Sequence, residues 1–293
     1  MFVSCFSSCD DNDVSEEVNS EDNISGTGVF VFNDHQPLAD KPIDVYYHVP
    51  EGNAENMPVL FVFHGFGRNA IEYRNAWIDQ ADERSFILIV PEFSDQYFPG
   101  GDAYNLANIF VDGDNPSSST LNDEEEWTFS VIEPLFEKVQ SLTDNNQNGY
   151  KVYGHSAGGQ FAHRMAIFKP DSRAEHIVAS AAGWYTVPDD AIEFPYGLAE
   201  SPAENTAPEA YFQKNLSIII GKEDDDPNAP GLRRNETVDE QGINRLARAR
   251  HFFNRSNEIA QQNQVDFNWD LTEINNIGHQ FELNIPIAAD ILF

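Results

Sequence analysis

Two rhythms of apolar residues alternate along this chain from about residue 26 onward. Short, mostly apolar runs are followed by longer stretches in which apolar positions recur every three or four residues. The first runs, "GVFVF" (28–32) and "IDVYYHV" (43–49), mix apolar and polar positions as half-buried strands do, and they predict an antiparallel opening pair. Later runs are continuous: "VLFVF" (59–63), "FILIV" (86–90), "YKVYG" (150–154), "HIVASAA" (176–182) and "LSIII" (216–220). Unbroken apolar runs of this length suit strands covered on both faces. Between them, helical spacing falls at about 70–83, 123–142, 158–168 and 242–262. This predicts an α/β fold: a mostly parallel central sheet with helices on both faces, antiparallel strands at the N-terminal side, and ligands outside the carboxyl ends of the strands. No internal repeat is present. Residues 186–213, rich in Pro and acids, interrupt the rhythm and read either as a cap over the site or as a surface excursion.

The body spans 26–293, and the first 25 residues stand apart from it. "DDNDVSEEVNSEDNIS" (10–25) has few apolar residues and many acids, which predicts a solvated tether. Just ahead, "FSSCDD" resembles the cleavage box of bacterial lipoproteins, with Cys9 as the lipid-bearing residue; a plain disordered tail is the other reading. The first reading implies a secreted or cell-surface lipoprotein of a bacterium. Cys5 and Cys9 are the only cysteines in 293 residues, so the body holds neither a disulfide nor a cysteine-based metal site. With 41% hydrophobic residues the chain can build a large core. Charge narrows the partners further. Asp and Glu number 49 against 17 Lys and Arg, a formal net charge of -32, which argues against nucleic acid, anionic membrane and anionic polymer as ligands. Such an excess marks either a protein working in salt, where charges are screened over about 8 Å or less, or simply an acidic secreted protein.

Chemistry concentrates at "YKVYGHSAGGQF" (150–161). The match to Gly-x-Ser-x-Gly means little alone, but here an apolar strand precedes Ser156 and a helix can begin at Ala157. Strand, sharp turn and helix place a serine in a strained, exposed position, and Gly154 and Gly158 remove the side chains that would clash there. The helix N-terminus aims N–H groups at an oxyanion. A second donor belongs after the third strand, where "FHGFGRN" (63–69) offers the N–H of Phe66, paired with that of Ala157. Serine needs a base and an orienting acid, and the order expected is serine, acid, histidine on loops after later strands. "GKEDDDPN" (221–228) and "NNIGHQF" (275–281) supply three adjacent aspartates and His279. His155, next to the serine, should point away from it. Tyr104 and Trp184 lie in loops at the same end of the sheet and are either walls of a substrate pocket or packing residues.

Together, "HGFG", "GHSAGG", "GKEDDDPN" and "GHQF" resemble the α/β-hydrolase superfamily, in its esterase branch of polyhydroxybutyrate depolymerase-like and feruloyl-esterase-like enzymes. The resemblance covers roughly residues 26–293. It implies a serine carboxylic-ester hydrolase with Ser156 as nucleophile, His279 as base and no cofactor. It also implies that the acid stands three residues beyond the glycine ending its strand, which selects Asp224 over Asp225 and Asp226. One departure is that the body lacks cysteines, where many secreted polyester-degrading relatives carry disulfides. "DNNQNG" (144–149) is spaced like the first half of a calcium loop, but His155 stands where the closing glutamate belongs, so a polar turn and no metal are expected. Two other readings stay open: a serine peptidase of the same fold, and a non-catalytic surface lipoprotein that binds a glycan or polymer.

Overall fold

The computed structural model describes residues 23–293. Cys9 and the lipoprotein reading therefore lie outside the described residues. In chain order the strands and helices are β1 (Gly26–Phe32), β2 (Ile43–Val49), β3 (Val59–Phe63), α1 (Ala70–Arg84), β4 (Ile87–Glu92), α2 (Gly100–Ala103), α3 (Ile132–Thr143), β5 (Tyr150–His155), α4 (Ala157–Phe168), β6 (Ala174–Ser180), α5 (Pro208–Phe212), β7 (Leu216–Gly221), α6 (Glu236–Glu240), α7 (Arg245–Asn263), β8 (Trp269–Ile274) and α8 (Phe281–Leu292). They form one eight-stranded sheet in the order β1-β2-β4-β3-β5-β6-β7-β8. β2 runs antiparallel to both β1 and β4, and all pairs from β4 to β8 are parallel. The architecture expected from the sequence is the one observed.

Alternation along the strands explains why the apolar runs are continuous. Phe61, Phe63, Val152, Ile177, Ile218 and Ile220 face the layer that holds α3, α4 and α7. Leu60, Val62, Leu88, Tyr153, Val178 and Ile219 face α1 and α8 on the other side. Each large side chain so covered contributes about 1.5–3 kcal/mol, and no strand from β3 to β7 has a wet face. No helix among the described residues is long and apolar enough to cross a membrane.

One stretch differs from the expectation, and a second, 186–213, is well packed. The helical stretch expected over 123–142 starts only at Ile132, after 3-10 turns at Glu124–Glu126 and Thr128–Val131. Pro134 sets that start, because its missing N–H is harmless in the first turn of a helix and breaks an interior one. Residues 186–213 are not a loose excursion. Val187, Phe194, Leu198, Tyr211 and Phe212 are buried, and Phe194 packs on Phe110 and Phe168. An ion pair from Arg255 on α7 to Asp189 ties the segment down further.

Candidate functional site

Ser156 sits between β5 and α4 with φ 56° and ψ -112°, a backbone conformation that a residue with a side chain adopts only under constraint. The constraint is close packing. A Cβ on Gly154 would lie 2.1 Å from the Gly158 carbonyl oxygen, and one on Gly158 would lie 2.1 Å from that of Phe63. The glycines thus let α4 pack directly on β5 and β3. Ser156 N–H donates to the Ser180 carbonyl at 2.9 Å, which anchors the turn to β6.

The structure brings Ser156, His279 and Asp224 together from three loops. Ser156 Oγ is 3.1 Å from His279 Nε2, and His279 Nδ1 is 2.7 Å from Asp224 Oδ2. Because an ionised carboxylate only accepts, Nδ1–H donates to Asp224, which leaves Nε2 to accept from the serine hydroxyl. The acid and base loops are sewn to each other: Lys222 and Glu223 N–H groups donate to the carbonyls of Ile274 and Ile277. A Cβ on Gly221 would come within 2.1 Å of the Ile277 oxygen, so only glycine allows this approach. Asp224 is 4% exposed, whereas Asp225 and Asp226 face solvent. Asp226 accepts from the N–H of Asn228 instead, as expected of an aspartate before proline.

Phe66 follows Gly65, whose Cβ, if it had one, would lie 3.7 Å from Ser156 Cβ. The Phe66 ring is 71% exposed, and its N–H meets no acceptor among the described residues. Ala157 opens α4, where the first N–H groups of a helix lack partners within it. The Phe66 loop is held from below by groups the sequence reading gave no role. His64 is fully buried; its Nδ1–H donates to the Gly65 carbonyl at 2.9 Å and its Nε2 accepts from Phe93 N–H at 3.1 Å. Burial lowers its pKa to about 4, so it is a neutral brace. Arg68 donates to the carbonyls of Phe93, Phe98 and Gly100.

Tyr104 must be corrected. It is not a pocket wall, because it is wholly buried, donates its hydroxyl to the His64 carbonyl at 2.7 Å and lies beneath the Arg68 guanidinium at 4.5 Å. It supports the loop that carries Phe66 instead. Trp184 is also almost buried, and its ring lies against Tyr196 at 5.1 Å and against two guanidinium groups, Arg164 at 4.3 Å and Arg233 at 4.9 Å. A pocket wall and a packing residue look alike in sequence, since both are aromatics in a loop.

One further residue went unseen in the sequence. Arg245, at the start of α7, donates from Nη1 to the free oxygen of Asp224, Oδ1, at 3.2 Å. An arginine 21 positions away carries no signal until α7 is placed. His155 does point away from Ser156, toward the Tyr73 hydroxyl 2.9 Å from its Nδ1, yet its ring centre lies 4.9 Å from that of His279. Burial first, and the neighbouring His279 second, hold its pKa well below the usual histidine range.

The calcium-like turn is used differently: Asn145 donates to the carbonyls of Ala54 and Met57, and Asn146 to Glu55. Among the described residues, no group of three or more His, Cys, Asp or Glu side chains is placed to hold a metal ion. A cleft of about 540 Å³, lined in part by Asp40, Lys41, Asp102 and Glu126, contains none of the three relay residues.

No protein-family model matches the chain, and no curated protein does either. Solved structures do. Poly(aspartic acid) hydrolase-1 from Sphingomonas sp. KT-1 is 38% identical, with a TM-score of 0.85, over 92% of this chain and 98% of that one. The chain belongs to this α/β-hydrolase family. A second member of the esterase branch, the poly(3-hydroxybutyrate) depolymerase LpqC from Bordetella parapertussis, is 28% identical with a TM-score of 0.84, over 92% of the α/β-hydrolase described here and 90% of its own chain. An S-formylglutathione hydrolase from Agrobacterium tumefaciens, 16% identical with a TM-score of 0.58 over 94% of this chain and 97% of its own, shares the fold. The protein is a hydrolase of the α/β fold.

Proposed function

We propose that the protein is a serine hydrolase that cleaves carboxylic esters through an acyl-enzyme. One observation carries the reading: the continuous relay from Ser156 Oγ through His279 to a buried Asp224, at 3.1 and 2.7 Å. His279 Nε2 takes the serine proton as Oγ attacks the ester carbonyl, and the tetrahedral oxyanion is held by the N–H groups of Phe66 and Ala157. Each such donor is worth about 2.7–4 kcal/mol in enzymes of this kind. The protonated imidazole, stabilised by Asp224, then gives its proton to the departing alcohol, and water repeats the sequence on the acyl-enzyme.

A second reading is supported by the 38% identity to a poly(aspartic acid) hydrolase: the same relay cleaving an amide. The serine peptidase reading is thereby narrowed to amides within a polymer or oligomer. A fluorophosphonate probe tests the shared chemistry, since it should label wild type stoichiometrically and leave Ser156→Ala untouched. Absence of labelling would favour a binding protein on a hydrolase fold. A panel of 4-nitrophenyl esters, a soluble polyester oligomer and a short poly(aspartic acid) then separates ester from amide.

A further inference from the structure

A buried histidine and a buried tyrosine stand at the site without a role. His155 ends β5 and is 3% exposed, and Tyr73, on α1, is 2% exposed. The Tyr73 hydroxyl oxygen lies 2.9 Å from His155 Nδ1. Each partner also reaches a different part of the site. A Cβ on Gly65, the residue before Phe66, would lie 3.0 Å from the Tyr73 hydroxyl and 3.7 Å from Ser156 Cβ. The Tyr73 ring stacks on Phe281, two residues past His279, with ring centres 4.1 Å apart. The His155 ring centre is 4.9 Å from that of His279. One hydrogen bond therefore joins the loop that carries Phe66 to the loop that carries His279, through the residue next to Ser156.

The direction of that bond follows from burial. Burial keeps the proton on Tyr73 by raising its pKa far above the usual tyrosine range, and the main chain of Gly65 pulls the other way, as a donor to the oxygen does. The hydroxyl therefore donates to Nδ1, and the proton of the His155 ring sits on Nε2. Nε2 is sealed from solvent and makes no hydrogen bond, a cost that a hydrocarbon side chain would avoid. Burial, then His279 and Arg245, keep the ring neutral, and the main chain of His279 alone favours a proton on it. Around Tyr73 the other titratable groups are Tyr153, Tyr104 and Glu282. A phenylalanine at 155 would fill the space without an orphaned donor. What the imidazole adds is an acceptor for Tyr73.

We infer that Tyr73 and His155 are positioning residues whose hydrogen bond is a strut, setting His279 against Ser156 and keeping the Phe66 loop in register with both. The inference rests on the proposed relay for its function, whereas the strut can be detected without it. The relay works only while serine and imidazole stay at hydrogen-bond distance, and a displacement of about 1 Å can cost about 100-fold in rate. Asp224, itself held by Arg245, fixes one edge of His279. The strut fixes the ring from the side of β5.

Tyr73→Phe carries the test, because it removes one oxygen and keeps the stack on Phe281. It should lower kcat for 4-nitrophenyl acetate about tenfold and leave KM within about twofold. His155→Phe should fall as far, and the double variant no further than the slower single, since both break one strut. His155→Asn, whose side-chain oxygen can still accept from Tyr73, should be about threefold faster than His155→Phe. A readout without catalysis uses Ser156→Ala. There, the proton that His279 Nδ1 donates to Asp224, followed as a far-downfield NMR line, should exchange with water about tenfold faster once Tyr73→Phe is added. General loss of packing would lower Tm without singling out that proton. If Tyr73→Phe leaves its exchange rate unchanged, the strut does not exist, whatever happens to kcat. If exchange quickens while wild type cleaves no ester or amide and takes no fluorophosphonate, the strut stands and the hydrolytic reading falls.

Discussion

The two sides of the site are built by different means. On one side, the Phe66 loop, the proposed oxyanion site, is fixed by hydrogen bonds to main chain, through His64, Arg68 and Tyr104. On the relay side, Asp224, His279 and Arg245 are held by one another's side chains, with backbone stitching only beneath them. The two histidines show the difference. His64 is sealed and neutral, whereas His279 is 33% exposed and meets the Ser156 hydroxyl. A donor site must be rigid, since its value lies in needing no reorganisation when charge develops. A relay must change protonation during each turnover, so its members need polar partners that accept either state.

Breaking the relay side should therefore cost the most. Asp224→Asn is expected to lower kcat about a thousandfold or more, through loss of imidazole orientation and of cation stabilisation. Asp225→Asn, its exposed neighbour, should cost less than about tenfold; single-turnover kinetics on both variants, with circular dichroism as the check on folding, decides between them.

Arg245→Met comes next. It leaves the buried carboxylate of Asp224 with one oxygen uncompensated, and a loss of about 10- to 100-fold in kcat is expected, partly restored by Arg245→Lys. Equal losses in the Met and Lys variants would show that Arg245 acts by packing alone.

On the side of the Phe66 loop the signature is stability against pH. The pKa of His64 is about 4 in the folded protein and near 6.5 when unfolded, so between these values the unfolded chain binds more protons. Its contribution is present in full above about pH 6.5 and is lost as pH falls toward 4, to the extent of about 3 kcal/mol. Buried His155 and His163, also lowered, act in the same direction. His64→Phe should flatten the fall of Tm between pH 6.5 and 4; an unchanged slope would remove His64 from the account.

The smallest effect should be that of salt. Raising ionic strength to about 0.5 M should lift Tm by a few degrees, because it shortens the reach of carboxylate repulsion. A flat or falling Tm would show that this acidic surface is not under such strain.

Much of this was readable in advance because the readable features are local. A strand covered by helices on both sides must be apolar on both faces, and that is why "VLFVF" and "LSIII" stand out as strands. The elbow is written in glycines because backbone touches backbone there, as at Gly158 against Phe63. Choosing Asp224 among three aspartates took family resemblance, since spacing alone treats them alike. The two readings of Tyr104 look alike in sequence, and His64, Arg68 and Arg245 carry no signal there, because each acts on a partner brought near only by the sheet. Arg68 spans 25 to 32 positions to its carbonyl acceptors.

By itself, then, the sequence determined the polarity pattern of the strands, the strained serine with its flanking glycines, and the loops that carry Asp224 and His279, all properties of contiguous segments. Tertiary structure alone decided which aspartate is buried against His279, which histidine is locked neutral, and that two arginines 69 positions apart share the faces of Trp184. The reason is physical: burial and charge pairing depend on distance in space, and the chain encodes that distance only through the whole of its packing.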